Sequence, residues 1–196
     1  MERIVLAAVS VKDAAARVAE ILRRPGAVVL VPTETVYGLV CRAGDPEAIR
    51  RIYAMKHREA AKPLALFTAD CKTLPGITLT PLAENLAQRF CPGAITIIVE
   101  GCDGKTVGFR TPDHPFILAL LEQLDFPLAS TSANRSGMPN VLTPAEALAE
   151  LTEEPDAVVE GGALSPGALA STVVDARKER AVILRQGALT IPEEFL

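Results

Sequence analysis

Residues 94–110 read Ala94-Ile95-Thr96-Ile97-Ile98-Val99-Glu100-Gly101-Cys102-Asp103-Gly104-Lys105-Thr106-Val107-Gly108-Phe109-Arg110. The apolar and β-branched runs Ala94 to Val99 and Thr106 to Arg110 predict two strands, and the short polar loop between them has no room for a helix. Elsewhere in the chain apolar strands alternate with helical patterns. Strands joined both with and without intervening helices predict an α/β fold on a mixed rather than a purely parallel sheet. The loop itself, Gly101 to Thr106, ends in Gly-Lys-Thr and imitates a Walker A loop. The earlier glycine of that motif falls at Val99 and no convincing helix follows, so this reading is rejected.

Working outward, Ala14, Val18, Ile21 and Leu22 recur at helical spacing between Val11 and Arg24. Pro25-Gly26 closes that helix before the apolar run Ala27 to Val31, which predicts a buried strand. A second helix is expected from Pro46 to Lys56, with Asp45 as N-cap and Pro46 in the first turn. Strand Leu64 to Phe67 and helix Pro81 to Phe90 precede the opening stretch. Helix Pro115 to Leu124, strand Pro127 to Ser130 and helix Thr143 to Leu151 follow it. Strands near Ala157 to Glu160, Thr172 to Asp175 and Val182 to Leu184 finish the chain. No repeat or long linker divides it, so residues 1–196 are read as one domain.

The 196 residues are 49% hydrophobic, enough for a sizeable core. A formal net charge of −4 argues against an electrostatic grip on nucleic acid by the molecule as a whole. Cys41, Cys71, Cys91 and Cys102 form no C-x-x-C pair and only His57 and His114 could join them, so neither a zinc site nor a disulfide framework is indicated. They read as reduced, mostly buried thiols. No run of about 18 apolar residues is present, and a cytoplasmic, non-membrane protein is expected.

Four segments bear on chemistry. Pro32-Thr33-Glu34-Thr35-Val36-Tyr37-Gly38-Leu39 interrupts an apolar strand with hydroxyls and a carboxylate. It is either a polar turn or the wall of a cleft at a strand end, where α/β sheets place ligands. Lys56-His57-Arg58 follows the second helix. If extended, it aims Lys56 and Arg58 at one spot, suiting a polyphosphate; otherwise it is a solvated helix end. Arg110 ends a strand before the rigid turn Thr111-Pro112-Asp113-His114-Pro115, so its planar fork could clamp a carboxylate or make a structural ion pair. Ser130-Thr131-Ser132-Ala133-Asn134 offers small side chains and several donors to an anion, or is a polar strand end. His114, between Asp and Pro, reads as packing its turn rather than as a base.

Taken together these segments resemble the YrdC-like family of threonylcarbamoyl-AMP synthases. The resemblance also rests on Pro92-Gly93 with Thr96, Val107-Gly108-Phe109-Arg110, Ser171-Thr172-Val173-Val174-Asp175 and Leu184-Arg185-Gln186-Gly187, and so covers nearly the whole chain. It implies a twisted mixed sheet flanked by helices around a deep cleft, in the short single-domain form. It implies that Thr35, Arg110, Ser130 and Ser171 hold L-threonine. ATP would meet Lys56, Arg58, Thr106, Ser132, Asn140 and Arg185, with Asn134 supporting that loop, and Lys56 and Arg58 would carry catalysis. Three positions depart from the longer members, in which proline, asparagine and histidine are usual: here they are Glu59, Lys62 and Phe67.

The implied reaction joins threonine, bicarbonate and ATP into threonylcarbamoyl-AMP and pyrophosphate. A carbamate is already an anion, which agrees with a site rich in cations and hydroxyls. Magnesium is expected to arrive with the nucleotide, because no ligand cluster is visible. The expected partners are a separate tRNA threonylcarbamoyl transferase and, through a weak contact, tRNA itself. Two rivals stand beside this reading. One is a noncatalytic double-stranded RNA-binding module, disfavoured by 4% aromatic content. The other is a carbamoyl-adenylate paralogue with another acceptor.

Overall fold

Four of the described helices announce themselves by one device. Asp45-Pro46, Thr80-Pro81, His114-Pro115 and Thr143-Pro144 each place an extended N-cap before a proline in the first turn. Proline fits there because its missing N–H is one that a helix start leaves unpaired anyway. In the computed structural model, which describes residues 1–57, 63–71, 74 and 76–196, the elements run β1 (Glu2–Val5), α1 (Val11–Leu22), β2 (Val29–Val31), β3 (Gly38–Arg42), α2 (Pro46–Met55), β4 (Ala65–Phe67), α3 (Pro81–Phe90) and β5 (Ile95–Glu100). They continue with β6 (Thr106–Arg110), α4 (Pro115–Leu121), β7 (Leu128–Ser132), α5 (Pro144–Glu150), β8 (Ala157–Glu160), β9 (Thr172–Asp175) and β10 (Val182–Arg185).

The described strands form one mixed sheet of ten, ordered β1-β8-β2-β3-β7-β4-β6-β5-β9-β10. β5 and β6 pair antiparallel across the 101–105 turn, as their short loop requires, whereas β4–β6 and β5–β9 pair parallel. Gly104, at φ 74°, turns that loop, and Asp103 accepts from the Lys105 amide. The Walker-like Gly-Lys-Thr is thus the corner of a hairpin. Cys102 is exposed there, while Cys41 is buried and Cys71 and Cys91 are half-buried, so the four free thiols lie less uniformly inside than expected.

Three apolar clusters divide the sheet's faces. α1 and α4 pack on Val29, Val31, Val40, Leu128 and Val159. α2 and α5 pack on the opposite face, against Leu30, Leu39, Cys41 and Val158. α3 continues the cover on that second side over Ile95, Ile97, Val99, Phe109 and Val174. The α1–α4 layer ends near Phe67 and Leu128. Beyond it, no helix among the described residues covers one face of β7, β4, β6, β5 and β9. There the cleft lies. No helix among the described residues is long and apolar enough to cross a membrane.

Candidate functional site

Strand register builds the site. Ala65 pairs with Ser130, Phe67 with Arg110, Ile98 with Gly108 and Thr96 with Val173. Paired residues share a face and residues two apart along a strand repeat it. Ser130 and Ser132, Gly108 and Arg110, Thr96 and Ile98, and Ser171 and Val173 therefore all line the uncovered face, and they enclose a cavity of about 240 Å³. Gly108 is needed for this closeness, because a Cβ there would lie 2.9 Å from Ile98 and 3.3 Å from Thr96.

Arg110 is the buried cation of this cavity, at 5% exposure. Its Nε donates to the Gly93 carbonyl at 3.1 Å, and its Nη2 donates to Glu34 Oε1 at 2.6 Å and to Thr35 Oγ1 at 3.0 Å. Thr33 Oγ1 lies 2.9 Å from Thr35 Oγ1 and donates to the Val36 carbonyl at 2.6 Å, so the 32–37 segment is a hydroxyl-lined turn against the cavity. Across from it, Ser171 Oγ lies 2.8 Å from Thr96 Oγ1. All four residues expected to hold threonine, Thr35, Arg110, Ser130 and Ser171, line this one cavity.

A second cavity, of about 400 Å³, adjoins the first through Ser132, Ala170 and Arg185. Lys56, Asn134 and Asn140 line it as well. Lys56, 1% exposed, donates to Thr131 Oγ1 at 3.0 Å and to the Ser132 carbonyl. Asn134 Nδ2 donates to the carbonyls of Arg135 and Met138, which turns Oδ1 into a buried acceptor with no hydrogen-bond partner. Arg185 donates through Nε and Nη2 to the Ser171 carbonyl, tying the two cavities together.

Two expectations need amendment. Lys56 is the helical C-cap of α2 and His57 is left-handed at φ 47°, so the chain turns there instead of running extended. Arg58, Glu59 and Lys62 lie outside the described residues. Thr106 is at the exposed start of β6 and lines neither cavity; it shares the face of Gly108 and Arg110 but stands one pleat further toward solvent. Conversely, Thr33, Thr96 and Thr131 line the first cavity although none was singled out as a site residue. Thr96 did carry a signal: it is the polar residue of an apolar strand, and period two sends it away from the Ile95–Ile97 core face.

His114 stands at the α4 N-cap without a side-chain capping bond, its ring edge-on to Phe116 and its Nδ1 buried without a partner. Burial pushes its pKa down, against the opposing pull of Glu34 and Asp113. A histidine buried neutral contributes stability that is full above the unfolded value of about 6.5 and declines as pH falls below it. The unfolding midpoint of the wild type should therefore drop between about pH 7.5 and pH 5.5. His114→Gln should flatten that dependence in a thermal-melt series, and an unchanged slope would remove His114 as its source.

Against this geometry stand the comparisons. The family model Sua5_yciO_yrdC, described as telomere recombination, matches residues 20–187. A threonylcarbamoyl-AMP synthase of Bacillus subtilis is 36% identical over 86% of this chain and 52% of its own length. Sua5 of P. abyssi complexed with L-threonine superposes with a TM-score of 0.83 at 30% identity, over 95% of this chain and 57% of that one. YciO of E. coli superposes at 0.83 and 28% identity, over 94% of both chains. The chain spans 52%, 61% and 55% of the length of three curated relatives it matches.

Proposed function

Because the chain belongs to the Sua5/YciO/YrdC family, we propose that it is a cytoplasmic L-threonylcarbamoyladenylate synthase, a nucleotidyltransferase joining L-threonine, bicarbonate and ATP. The observation that carries this reading is the pair of adjoining cavities. One is built of hydroxyls around a buried arginine, the other of amides around a buried lysine, and Ser132 and Arg185 belong to both.

Arg110 offers Nη1, the nitrogen that Gly93, Glu34 and Thr35 leave over, to the substrate carboxylate. Ser130, Thr35 and the Ser171–Thr96 pair satisfy the substrate hydroxyl, which an analogue lacking it would leave unpaired. Bicarbonate takes up a proton and loses water to give carbon dioxide, and the neutral threonine amine adds to its carbon, forming the C–N bond of a carbamate as the amine proton passes to solvent. A carbamate oxygen then attacks the α-phosphorus of ATP, the new P–O bond forms, and the bond to the β-phosphate breaks with release of pyrophosphate. Lys56 and Arg185, with Arg58 as a further proposed cation, position and neutralise the triphosphate.

Among the described residues no group of three or more His, Cys, Asp or Glu could hold a metal ion. Magnesium would therefore come bound to the phosphates, neutralising their charge, with Asn134 Oδ1 the orphaned acceptor available to it or to its water. The product is an activated acyl group, to be consumed by a separate tRNA threonylcarbamoyl transferase.

The test is incubation with α-labelled ATP, magnesium and bicarbonate, with and without threonine. A labelled adenylate that requires both threonine and bicarbonate supports the reading. Nucleotide turnover independent of threonine would move it to a paralogue with another acceptor, and salt-sensitive RNA binding without turnover to the noncatalytic rival. Arg110→Lys keeps the charge but loses the fork, and KM for threonine should rise on the order of 10-fold or more, as expected for a charged hydrogen bond worth about 1.5–3 kcal/mol. Steady-state kinetics with threonine varied read this directly.

A further inference from the structure

Glu34 lies in the same turn as Thr33 and Thr35 but does not line the cavity they face. Its carboxylate stands to one side of Arg110, with side-chain exposures of 20% for Glu34 and 6% for Arg110. Oε1 accepts from Nη2 at 2.6 Å, and Oε2 is buried with no hydrogen-bond partner among the described residues. A carboxylate shielded from water and engaged through one oxygen does two things to its arginine. It stops rotation of the guanidinium, and it cancels part of the charge an incoming anion would meet.

We propose that Glu34 is a positioning residue that sets how tightly Arg110 holds an anionic substrate, by fixing the guanidinium with one oxygen and offsetting its charge with the carboxylate as a whole. The inference rests on the threonine reading above and deepens it. Among the described residues, the charged and titratable groups that face Glu34 are Arg110 on β6, His114 at the start of α4 with Asp113 beside it, and Cys91 at the end of α3. Arg110 alone of these is hydrogen-bonded to it.

The two actions separate by substitution. Glu34→Gln keeps an oxygen for Nη2 to donate to and removes the charge. Glu34→Ala removes both. Calorimetric titration of threonine and of the uncharged-carboxyl analogue threoninamide onto the wild type and both variants reads the difference. For Glu34→Gln we expect threonine to bind about tenfold tighter with threoninamide unmoved, from one unmasked charge, and for Glu34→Ala threonine about tenfold weaker, because losing the anchor costs about a hundredfold and outweighs the same tenfold gain. Threonine affinity falling alike in both variants, or threoninamide shifting as much as threonine, overturns the proposal.

Should Glu34→Ala fail to fold, the threonine-against-threoninamide comparison in Glu34→Gln still decides. If wild type binds no threonine, the function proposed above falls, and Glu34 is then judged from the nitrogen-15 spectrum of the Arg110 side chain. Separate Nη1 and Nη2 signals in the wild type and Glu34→Gln, merged in Glu34→Ala, uphold the positioning role. Merged signals in the wild type, or separate ones in Glu34→Ala, reject it.

Discussion

Lys56→Met is expected to slow adenylate formation by about 10²- to 10³-fold, the loss typical of removing one pre-oriented donor from a charge-stabilising site. Lys56 is 1% exposed, which for lysine requires firm partners, and its ammonium has them in Thr131 Oγ1 and the Ser132 carbonyl at the end of β7. Anchored in this way it would cost no reorganisation when charge develops on the transferring phosphoryl oxygens of the proposed reaction. Methionine fills the stem's volume but leaves those two acceptors without their donor, at about 1–3 kcal/mol of stability, so a thermal melt must accompany the kinetics. Threonine affinity should fall much less than the rate, because neither Arg110 nor Thr35 nor Ser171 is bonded to Lys56, and among the described residues the two cavities meet only through the Thr131–Ser132 end of β7 and the Ala170–Arg185 wall. A variant that remains folded, binds threonine normally and releases pyrophosphate at the wild-type rate would deny Lys56 its role.

The separation of the two cavities follows from the sheet more than from any motif. Arg110 reaches Thr35 across 75 residues of sequence because β4 pairs with both β6 and β7, bringing the two halves of the chain edge to edge. Ser171 comes to Thr96 because β9 pairs parallel with β5. Hydroxyl pairs then face each other across a floor kept open by Gly108, with Phe67 beneath Arg110 at 5.8 Å from ring centre to guanidinium carbon. Phe67 thus puts an apolar ring at this wall, and under the proposed function recognition of the substrate hydroxyl would fall to Thr35, Ser130 and the Ser171–Thr96 pair.

Much of this was legible beforehand, for reasons that can be named. The Pro-marked helix starts and the long apolar runs gave the α/β class, and the loop too short for a helix gave the mixed sheet. β3 escaped notice because the polar turn before it resembles a strand end, although Leu39-Val40-Cys41 is buried from end to end. β1 escaped because three of its four residues are exposed, which erases the apolar alternation. Lys56-His57-Arg58 left two readings open, an extended pair of cations or a solvated helix end; Lys56 stands at the helix end but is buried on its partners instead of solvated, and residues two apart share a side only in a strand. Thr96 was given no role because an isolated hydroxyl in an apolar run reads as tolerated polarity until pairing shows where it points, and Thr33, though its segment was read as a possible cleft wall, was not distinguished from its neighbours.

Gly187→Ala should be the most damaging single methyl in the chain. An added Cβ would sit 2.2 Å from the Ala170 carbonyl oxygen, 2.5 Å from the Ser171 carbonyl carbon and 2.6 Å from its oxygen. These are backbone atoms, so no rotamer change relieves the collision and the two segments must part. Parting them strains the bonds that join them: the Gly187 amide to Thr172 Oγ1 at 3.0 Å, the Ala188 amide to the Ala170 carbonyl at 2.9 Å, and Arg185 to the Ser171 carbonyl. Overpacking that moves main chain, with buried hydrogen bonds lost as well, belongs to the severe class at about 3–5 kcal/mol. For a chain of this size that is a fall in melting temperature of roughly 10 °C. Gly167→Ala is the control, since Gly167 is left-handed at φ 83° with nothing within 4 Å, and only the conformational cost of about 1–2 kcal/mol applies. Ser171 and Arg185 line the cavities, so Gly187→Ala should also weaken threonine and ATP binding together while Gly167→Ala leaves both unchanged. Equal melting temperatures for the two variants would mean that the 187–189 segment yields easily and does not hold the site in place.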